Sequence, residues 1–500
     1  SQLTSLKELY IFANQLSSLP PEISQLTSLA YLLINHNPLE TPPIEVAKQG
    51  IEAIRDYFRQ LEEEGYDTIY EAKLIIVGEA ESGKTSLMNK ILDPDYLVPQ
   101  PEKSTHGIQI KVFKFPCPNN QDFRVNMWDF GGQAIYHQTH QFFLTKRSLY
   151  ALVVDSRKEH DCLDYWLNIV EILSENSPML IIKNEKDKCS VDLKNESQIR
   201  ARFDKMVKDI LTTDLAENTG LDKIIKAIEY HINYLPQVGI KIPKSWAKVR
   251  QAIEEDKRDY ISLNNYLEIC DRNQYPEATS FNDNDNNNKI KYARLRLSQF
   301  FHDLGIILHF QDNKASVLYD TVILNPEWGT QAVYELLKRE NNPIKEKLGK
   351  FTFTDLEKIW SDNRYQGKHT ELLELMKRFK LCYELPAQTY IAPQLLNPNP
   401  PKYDWNNENN LKLRYCYDFM PKGIISHFIV EMHPYIDEPN VWRSGVILTK
   451  DNTYGEVIET YNSREIQIKL VGSNTRGLLE IITAKLDEIN NSYHRLKVDK

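Results

Sequence analysis

Residues Lys73–Ser86 read KLIIVGEAESGKTS, and this stretch constrains the fold more than any other. Leu74, Ile75, Ile76 and Val77 form a short, wholly apolar run, as a parallel strand buried on both faces requires. Gly78 ends that strand and turns the chain. Gly78-x-x-x-x-Gly83-Lys84-Thr85 then completes a loop whose backbone N–H groups, from Ala80, Glu81 and Ser82 through to Ser86, can curl around a triphosphate. Lys84 adds a cation for the outer phosphates. Thr85 places a hydroxyl where it can ligand Mg2+, and the helix beginning there turns its positive end toward the anion.

A chain of 500 residues is too long for one core, so three or more domains are expected. Its 41% hydrophobic and 26% charged content fits globular protein, and no run approaches the ~18–20 apolar residues of a membrane span. A net charge of −9 argues against a general nucleic-acid binder. Cys117, Cys162, Cys189, Cys270, Cys382 and Cys416 lie far apart with no C-x-x-C pair. They read as reduced thiols of a cytoplasmic protein, neither a zinc site nor a disulfide framework.

The first forty or so residues repeat themselves. Ser1-Gln2-Leu3-Thr4-Ser5-Leu6 recurs letter for letter as Ser24–Leu29, and Leu9, Ile11, Asn14 and Leu16 recur in phase as Leu32, Ile34, Asn37 and Leu39. This is the leucine-rich-repeat pattern, one strand per repeat, with side-chain amides satisfying backbone groups at the inner turn. We assign residues 1–43 to it. Two repeats bury too little to stand alone, so a longer natural array is expected, with a protein partner as its usual ligand. Residues 44–71 are expected as a helical linker, one helix carrying Ile44, Ala47, Ile51, Ile54, Tyr57, Phe58 and Leu61 on one face, packing the repeats onto the next domain.

Over residues 72–236 strands and helices alternate, predicting a doubly wound α/β domain with strands at 74–77, 108–115, 123–128, 149–154, 179–182 and about 210–213. Ligands of such sheets sit at the carboxyl ends of the strands, and the remaining motifs fall there. Thr105 precedes the second strand, where a hydroxyl can complete a Mg2+ shell. Asp129-Phe130-Gly131-Gly132-Gln133 follows the third. There Asp129 can hold Mg2+ through water, the Gly132 amide can bond a γ-phosphate, and Gln133 can orient an attacking water. His137 and His140 lie three apart without a third ligand nearby, so they read as part of a helix and not as a metal pair. Asn184-Glu185-Lys186-Asp187 closes the fifth strand. A carboxylate at Asp187 can accept two hydrogen bonds from guanine that adenine does not offer. Asn184 would brace neighbouring loops, and Glu185 stands where guanine-binding proteins normally carry lysine. After the sixth strand, Ala216 resembles the alanine whose amide meets the guanine oxygen.

With these boxes in order, residues 73–235 resemble a Ras-like GTPase domain. With leucine-rich repeats before it, the resemblance narrows to the Roco family, in which the GTPase (Roc) is followed by a domain called COR. Ile242-Pro243-x-Ser245-Trp246-x-x-Val249-Arg250 resembles the opening of COR. Phe301–Phe310 followed by Val322-Ile323-Leu324-Asn325-Pro326-Glu327-Trp328 resembles its central signature, and Phe419-Met420-Pro421-Lys422-Gly423 the start of its second half. The first half is set at 237–400 and the second at 401–500, with a hinge at Asn397–Pro401. The resemblance is to the prokaryotic type, and no kinase motif set is present in these residues. It implies GTP hydrolysis with Mg2+, GDP as product, and a homodimer through COR that follows the nucleotide. Ala80 stands where small GTPases often need glycine to admit an external arginine, so activation from within the assembly is expected. Two other readings stay open: a signalling scaffold with a structural nucleotide, and an ATP-driven switch.

Overall fold

The computed structural model describes residues 3–99, 107–116, 122–132, 144, 148–155, 161–174, 177–186, 193, 196–236, 238–276, 286–337, 343–405, 410–493 and 495–500. Thr105, Gln133, His137, His140 and Asp187 lie outside the described residues. The chain divides into two units. One comprises Ser1–Lys73, Val112–Asn126 and Ile228–Gly329; the other comprises Leu74–Lys111, Met127–Ala227 and Thr330–Lys500.

The first unit opens with β1 (Glu8–Tyr10) and β2 (Tyr31–Leu33), which pair in parallel from Glu8↔Tyr31 to Tyr10↔Leu33, the offset of the sequence repeat. Buried Asn37 ties the two segments together. Its amide donates to the Ile11 and Ile34 carbonyls, each at 2.8 Å, and its Oδ1 accepts the Leu16 N–H at 3.2 Å. Where the sequence predicted one helix there are two, α1 (Ile44–Ala47) and α2 (Ile51–Glu64). Gly50 separates them at φ +97°, a conformation no continuing helix permits. The apolar face nevertheless resumes at Ile51, and Ile54, Tyr57 and Phe58 are buried. β3 (Tyr66–Ile69) follows.

Next come β4 (Glu71–Val77), α3 (Lys84–Leu92), β5 (Ile108–Pro116), β6 (Asp122–Phe130), β7 (Leu149–Asp155), α4 (Asp161–Ser174), β8 (Met179–Asn184), α5 (Glu196–Arg202), β9 (Val207–Thr213) and α6 (Leu221–Asn233). The strands form one sheet in the order β5-β6-β4-β7-β8-β9, and β4, β7, β8 and β9 run parallel in that sequence. Leu74, Ile75, Ile76 and Val77 have no solvent exposure, which explains why the strand is apolar at these four successive positions and not at alternate ones. The carboxyl ends of β4, β7 and β8 stand side by side, at Val77, Asp155 and Asn184.

The chain then returns to the first unit. β10 (Ile240–Pro243) pairs antiparallel with β3, Ile240 facing Ile69 and Pro243 facing Tyr66. α7 (Lys244–Glu255) follows, and its Trp246 Nε1–H donates to Gln60 Oε1 of α2 at 2.8 Å. One core contains Leu29 and Ile34 of the repeats, Ile54 and Tyr57 of α2, and Ile242, Trp246, Val249, Phe300 and Val322. The linker helix is thus part of a core completed by residues nearly two hundred positions further on. Sequence patterning cannot reveal that partner, because each face is apolar whatever it meets. In the same unit Glu71 accepts from Asn126 and from Arg250, and Arg124 pairs with Glu254.

α8 (Leu263–Arg272) and α9 (Asn286–Asp303) complete this region, and Asn286–Asn288 form the first turn of α9. His309 is a packing residue. It is fully buried, its Nε2 meets the Tyr319 carbonyl at 2.9 Å and its Nδ1 meets Ser298 Oγ at 2.6 Å.

α10 (Pro326–Leu337) leads into the rest of the second unit. Beyond it, a three-stranded sheet is built from Lys350–Thr352, Thr389–Ile391 and Tyr383–Leu385. A six-stranded antiparallel sheet follows, running from edge strand Ile436–Trp442 through Gly445–Lys450, Thr453–Thr460 and Glu465–Gly472 to Leu411–Tyr417 and Val498–Asp499. Helices Ile424–Glu431 and Thr475–Asn491 supply Phe428, Ile482 and Leu486 to a core that also contains Tyr383, Ile391 and Leu396. The stretch expected as a hinge is therefore tied down: the Arg443 N–H donates to Asn397 O at 2.9 Å and its guanidinium to Leu396 O at 3.2 Å. Among the described residues, no helix is long and apolar enough to cross a membrane.

Candidate functional site

The loop after β4 is shaped by what holds its carbonyls. Lys84 Nζ donates to Glu79 O at 2.6 Å, Lys186 Nζ to Glu81 O at 2.6 Å, and Asn184 Nδ2 to Ser82 O at 2.9 Å. A carbonyl bound on one side of a trans peptide leaves the N–H of the same peptide on the other. This is how a loop acquires a concave row of donors for an anion. Gly83 caps α3 in the left-handed region, and the Leu87 N–H closes the first helical turn onto its carbonyl at 2.8 Å. Lys84 and Ser86 are buried.

Gly132 approaches this loop closely. A Cβ there would lie 2.3 Å from Ala80 N and 2.5 Å from Glu79 C. The D-x-x-G segment and the phosphate loop are therefore in backbone contact, and only glycine fits between them.

Asp129 and Thr85 meet where the sequence placed a cation. Thr85 Oγ1 donates to Asp129 Oδ2 at 2.6 Å. Asp129 is fully buried, and its Oδ1 has no hydrogen-bond partner among the described residues. Burial pushes its carboxyl up to about 6, against the pull of Lys84, the Thr85 bond and Lys111. A buried carboxylate oxygen left open beside a hydroxyl is a donor set suited to a hard cation such as Mg2+. Ser82 Oγ and Asn184 Oδ1 are likewise buried without partners in the described residues.

On the neighbouring side, Asn184 at the end of β8 pairs in register with Asp155 at the end of β7. Lys186 lies 3.6 Å from the Asp155 carboxylate. Neither Lys186 nor Asp155 was singled out as a site residue from sequence; the available signal was a lysine one place beyond the substituted Glu185. Ala216 does not present a free donor, because its N–H is given to Asp214 Oδ1 at 2.9 Å. A ligand oxygen would have to compete with that side chain. The structure thus brings together Gly78, Ala80, Glu81, Ser82, Gly83, Lys84, Thr85, Asp129, Gly132 and Asn184.

Known proteins resemble the chain over most of its length. Residues 73–187 match the family described as Ras of Complex, Roc, domain of DAPkinase. Residues 243–396 match the C-terminal of Roc, COR-A domain, and residues 408–500 the COR-B domain. A Roc-COR-CHAT protease of Runella zeae is 27% identical over 461 residues, covering 86% of this chain and 47% of that protein. The probable serine/threonine-protein kinase pats1 of Dictyostelium discoideum is 25% identical over 525 residues, covering 95% of this chain and 16% of that protein. The chain therefore spans less than half the length of these relatives. Among solved structures, GDP-bound Roco2 RocCORdC of Methanosarcina barkeri is 30% identical with a TM-score of 0.54, covering 67% of this chain and 98% of that one. With a Roc domain followed by COR-A and COR-B in one chain, this protein belongs to the Roco family.

Proposed function

We propose that the chain is a Roco-type switch that binds guanine nucleotide with Mg2+ and hydrolyses GTP to GDP. The observation that carries this reading is the buried Asp129 carboxylate, one oxygen bonded to Thr85 and the other open. In this reading Lys84 and the loop amides stabilise charge on the transferring phosphoryl group. Mg2+, when bound, would neutralise phosphate charge and would be held by Thr85, Thr105 and, through water, Asp129. The Gly132 amide bonds the γ-phosphate, and Gln133 orients the attacking water. Asp187 selects guanine, with Asn184 bracing the loops and Ala216 exchanging Asp214 for the base.

The COR halves would join two chains in a nucleotide-dependent homodimer. Residues 1–43 would form part of a leucine-rich-repeat surface for a protein partner, a reading supported by the parallel β1–β2 pair and the Asn37 bonds. The experiment is titration of labelled GTP, GDP and ATP, followed by phosphate release. Guanine nucleotides are expected to bind more tightly than ATP and Lys84→Ala to abolish release; tighter ATP binding overturns the guanine assignment, and unchanged release by Lys84→Ala overturns the site. The engaged Ala216 N–H favours a second reading, a scaffold with a structural nucleotide. Single-turnover GTP measurements separate the two, since a scaffold shows no burst of phosphate on any dimerisation timescale.

A further inference from the structure

Glu81 has φ +64°, the left-handed region, which a residue carrying a Cβ occupies only when its surroundings hold it there. What grips its carbonyl is Lys186 Nζ, at 2.6 Å. The same ammonium stands 3.6 Å from Asp155, a 3%-exposed carboxylate at the end of β7. A carboxylate buried at this depth is stabilised by a nearby cation, and Lys186 supplies one. Glu185 stands in the position where guanine boxes carry lysine, and its backbone N–H donates to Thr213 O at 2.8 Å.

We infer that Lys186, with Asp155 as its counter-ion, is a positioning residue that clamps the Glu81 turn of the phosphate loop to the base-side loop and so slows nucleotide release. The inference rests on the nucleotide reading above and deepens it. The cation usual at the position of Glu185 has moved one residue along and acts through Nζ on the loop backbone. Because the clamp touches the phosphate loop, its loss loosens GDP and GTP alike and leaves the choice between guanine and adenine unchanged. Asp155 and Lys186 act as one unit, so losing both is no worse than losing either.

The test is the release rate of fluorescently labelled GDP and GTP from the full chain and from Lys186→Met, Lys186→Arg, Asp155→Asn and the Lys186→Met/Asp155→Asn double variant, each checked for folding by circular dichroism. Lys186→Met and Asp155→Asn are each expected to speed release about tenfold for both nucleotides, the double variant no further, and Lys186→Arg to stay near wild type. The preference for GDP over ADP is expected to hold in every variant. Wild-type release rates in both Lys186→Met and Asp155→Asn overturn the clamp while leaving the nucleotide reading intact. Fully additive effects in the double variant, or an altered guanine preference, also overturn it. A wild-type chain without saturable nucleotide binding overturns both readings. Should Lys186→Met fail to fold, the near-isosteric Asp155→Asn decides the matter by the same rates.

Discussion

The ring of Tyr334, on α10, packs against Gly107, the residue that leads into β5. A Cβ added at Gly107 would lie 2.9 Å from Tyr334 Cδ2. Gly107 has φ +88°, and its carbonyl accepts the Gly131 N–H at 2.8 Å. A COR-A side chain is therefore one glycine away from the segment that carries Asp129 and Gly132. Gly107→Ala meets both the conformation and the ring, and is expected to destabilise by about 1–3 kcal/mol. Urea unfolding checks the stability. The strain also reaches Gly131 and Gly132, so weaker GTP binding is expected relative to GDP, and equal loss for the two would place the damage away from the γ-phosphate loop.

Removing the Thr85 hydroxyl tests the cation reading directly. Thr85→Ala leaves Asp129 without its only bonded partner among the described residues and deletes an oxygen ligand. Nucleotide affinity in Mg2+ is expected to fall about 10–100-fold. Affinity in excess EDTA should fall much less, since the ligand lost is then not in use. A comparable fall in both buffers would assign Thr85 to loop stability alone.

The raised carboxyl of Asp129 carries a pH signature. Its value moves from 3.8 to about 6 through burial. Between those values the folded state holds a proton that the unfolded chain releases. The contribution is thus present at low pH and lost as pH rises through about 6, a swing of about 3 kcal/mol. Asp129→Asn cannot titrate, so the difference in stability between wild type and Asp129→Asn, measured without nucleotide, should shift in favour of Asp129→Asn as pH rises from 4 to 7. A difference that stays flat with pH would mean that Asp129 ionises as freely folded as unfolded.

Asn37 offers a test within the first unit. Its amide serves two carbonyls and its oxygen one N–H. Asn37→Ala strips the Ile34 carbonyl and the Leu16 N–H of these bonds and leaves the Ile11 carbonyl only the Asn14 amide, at 3.1 Å, at a cost of about 2–4 kcal/mol. Asn37→Asp is expected to be at least as harmful, because a carboxylate faces the Ile11 and Ile34 carbonyls without a hydrogen to give. Thermal melting of both variants gives the comparison, and an undisturbed Asn37→Asp would show that the bonds contribute little.

The strands of the α/β sheet were legible because their information is local. β4 is apolar at four successive positions, and β5 to β9 appear where the apolar runs are, each within a few residues of its expected ends. The phosphate loop was legible for the same reason: its glycines, lysine and threonine all fall within one turn of the chain. The break at Gly50 was missed, since the apolar face continues across it. Ala216 illustrates another limit, for a residue type says nothing of whether Asp214 already occupies its N–H.

Sequence alone therefore determined the elements and the chemistry that neighbours along the chain perform together: the Lys73–Ser86 turn, the in-phase repeat, and the D-x-x-G and N-x-x-D boxes at strand ends. Only the tertiary structure decided which of these meet. It paired β3 with β10 across the whole sheet domain, set Lys186 on Glu81 and Asp155, and laid Tyr334 against Gly107. The physical reason is that periodicity and motif spacing report which way a side chain faces. The partner it faces is chosen by packing, which depends on chain closure over a hundred residues or more.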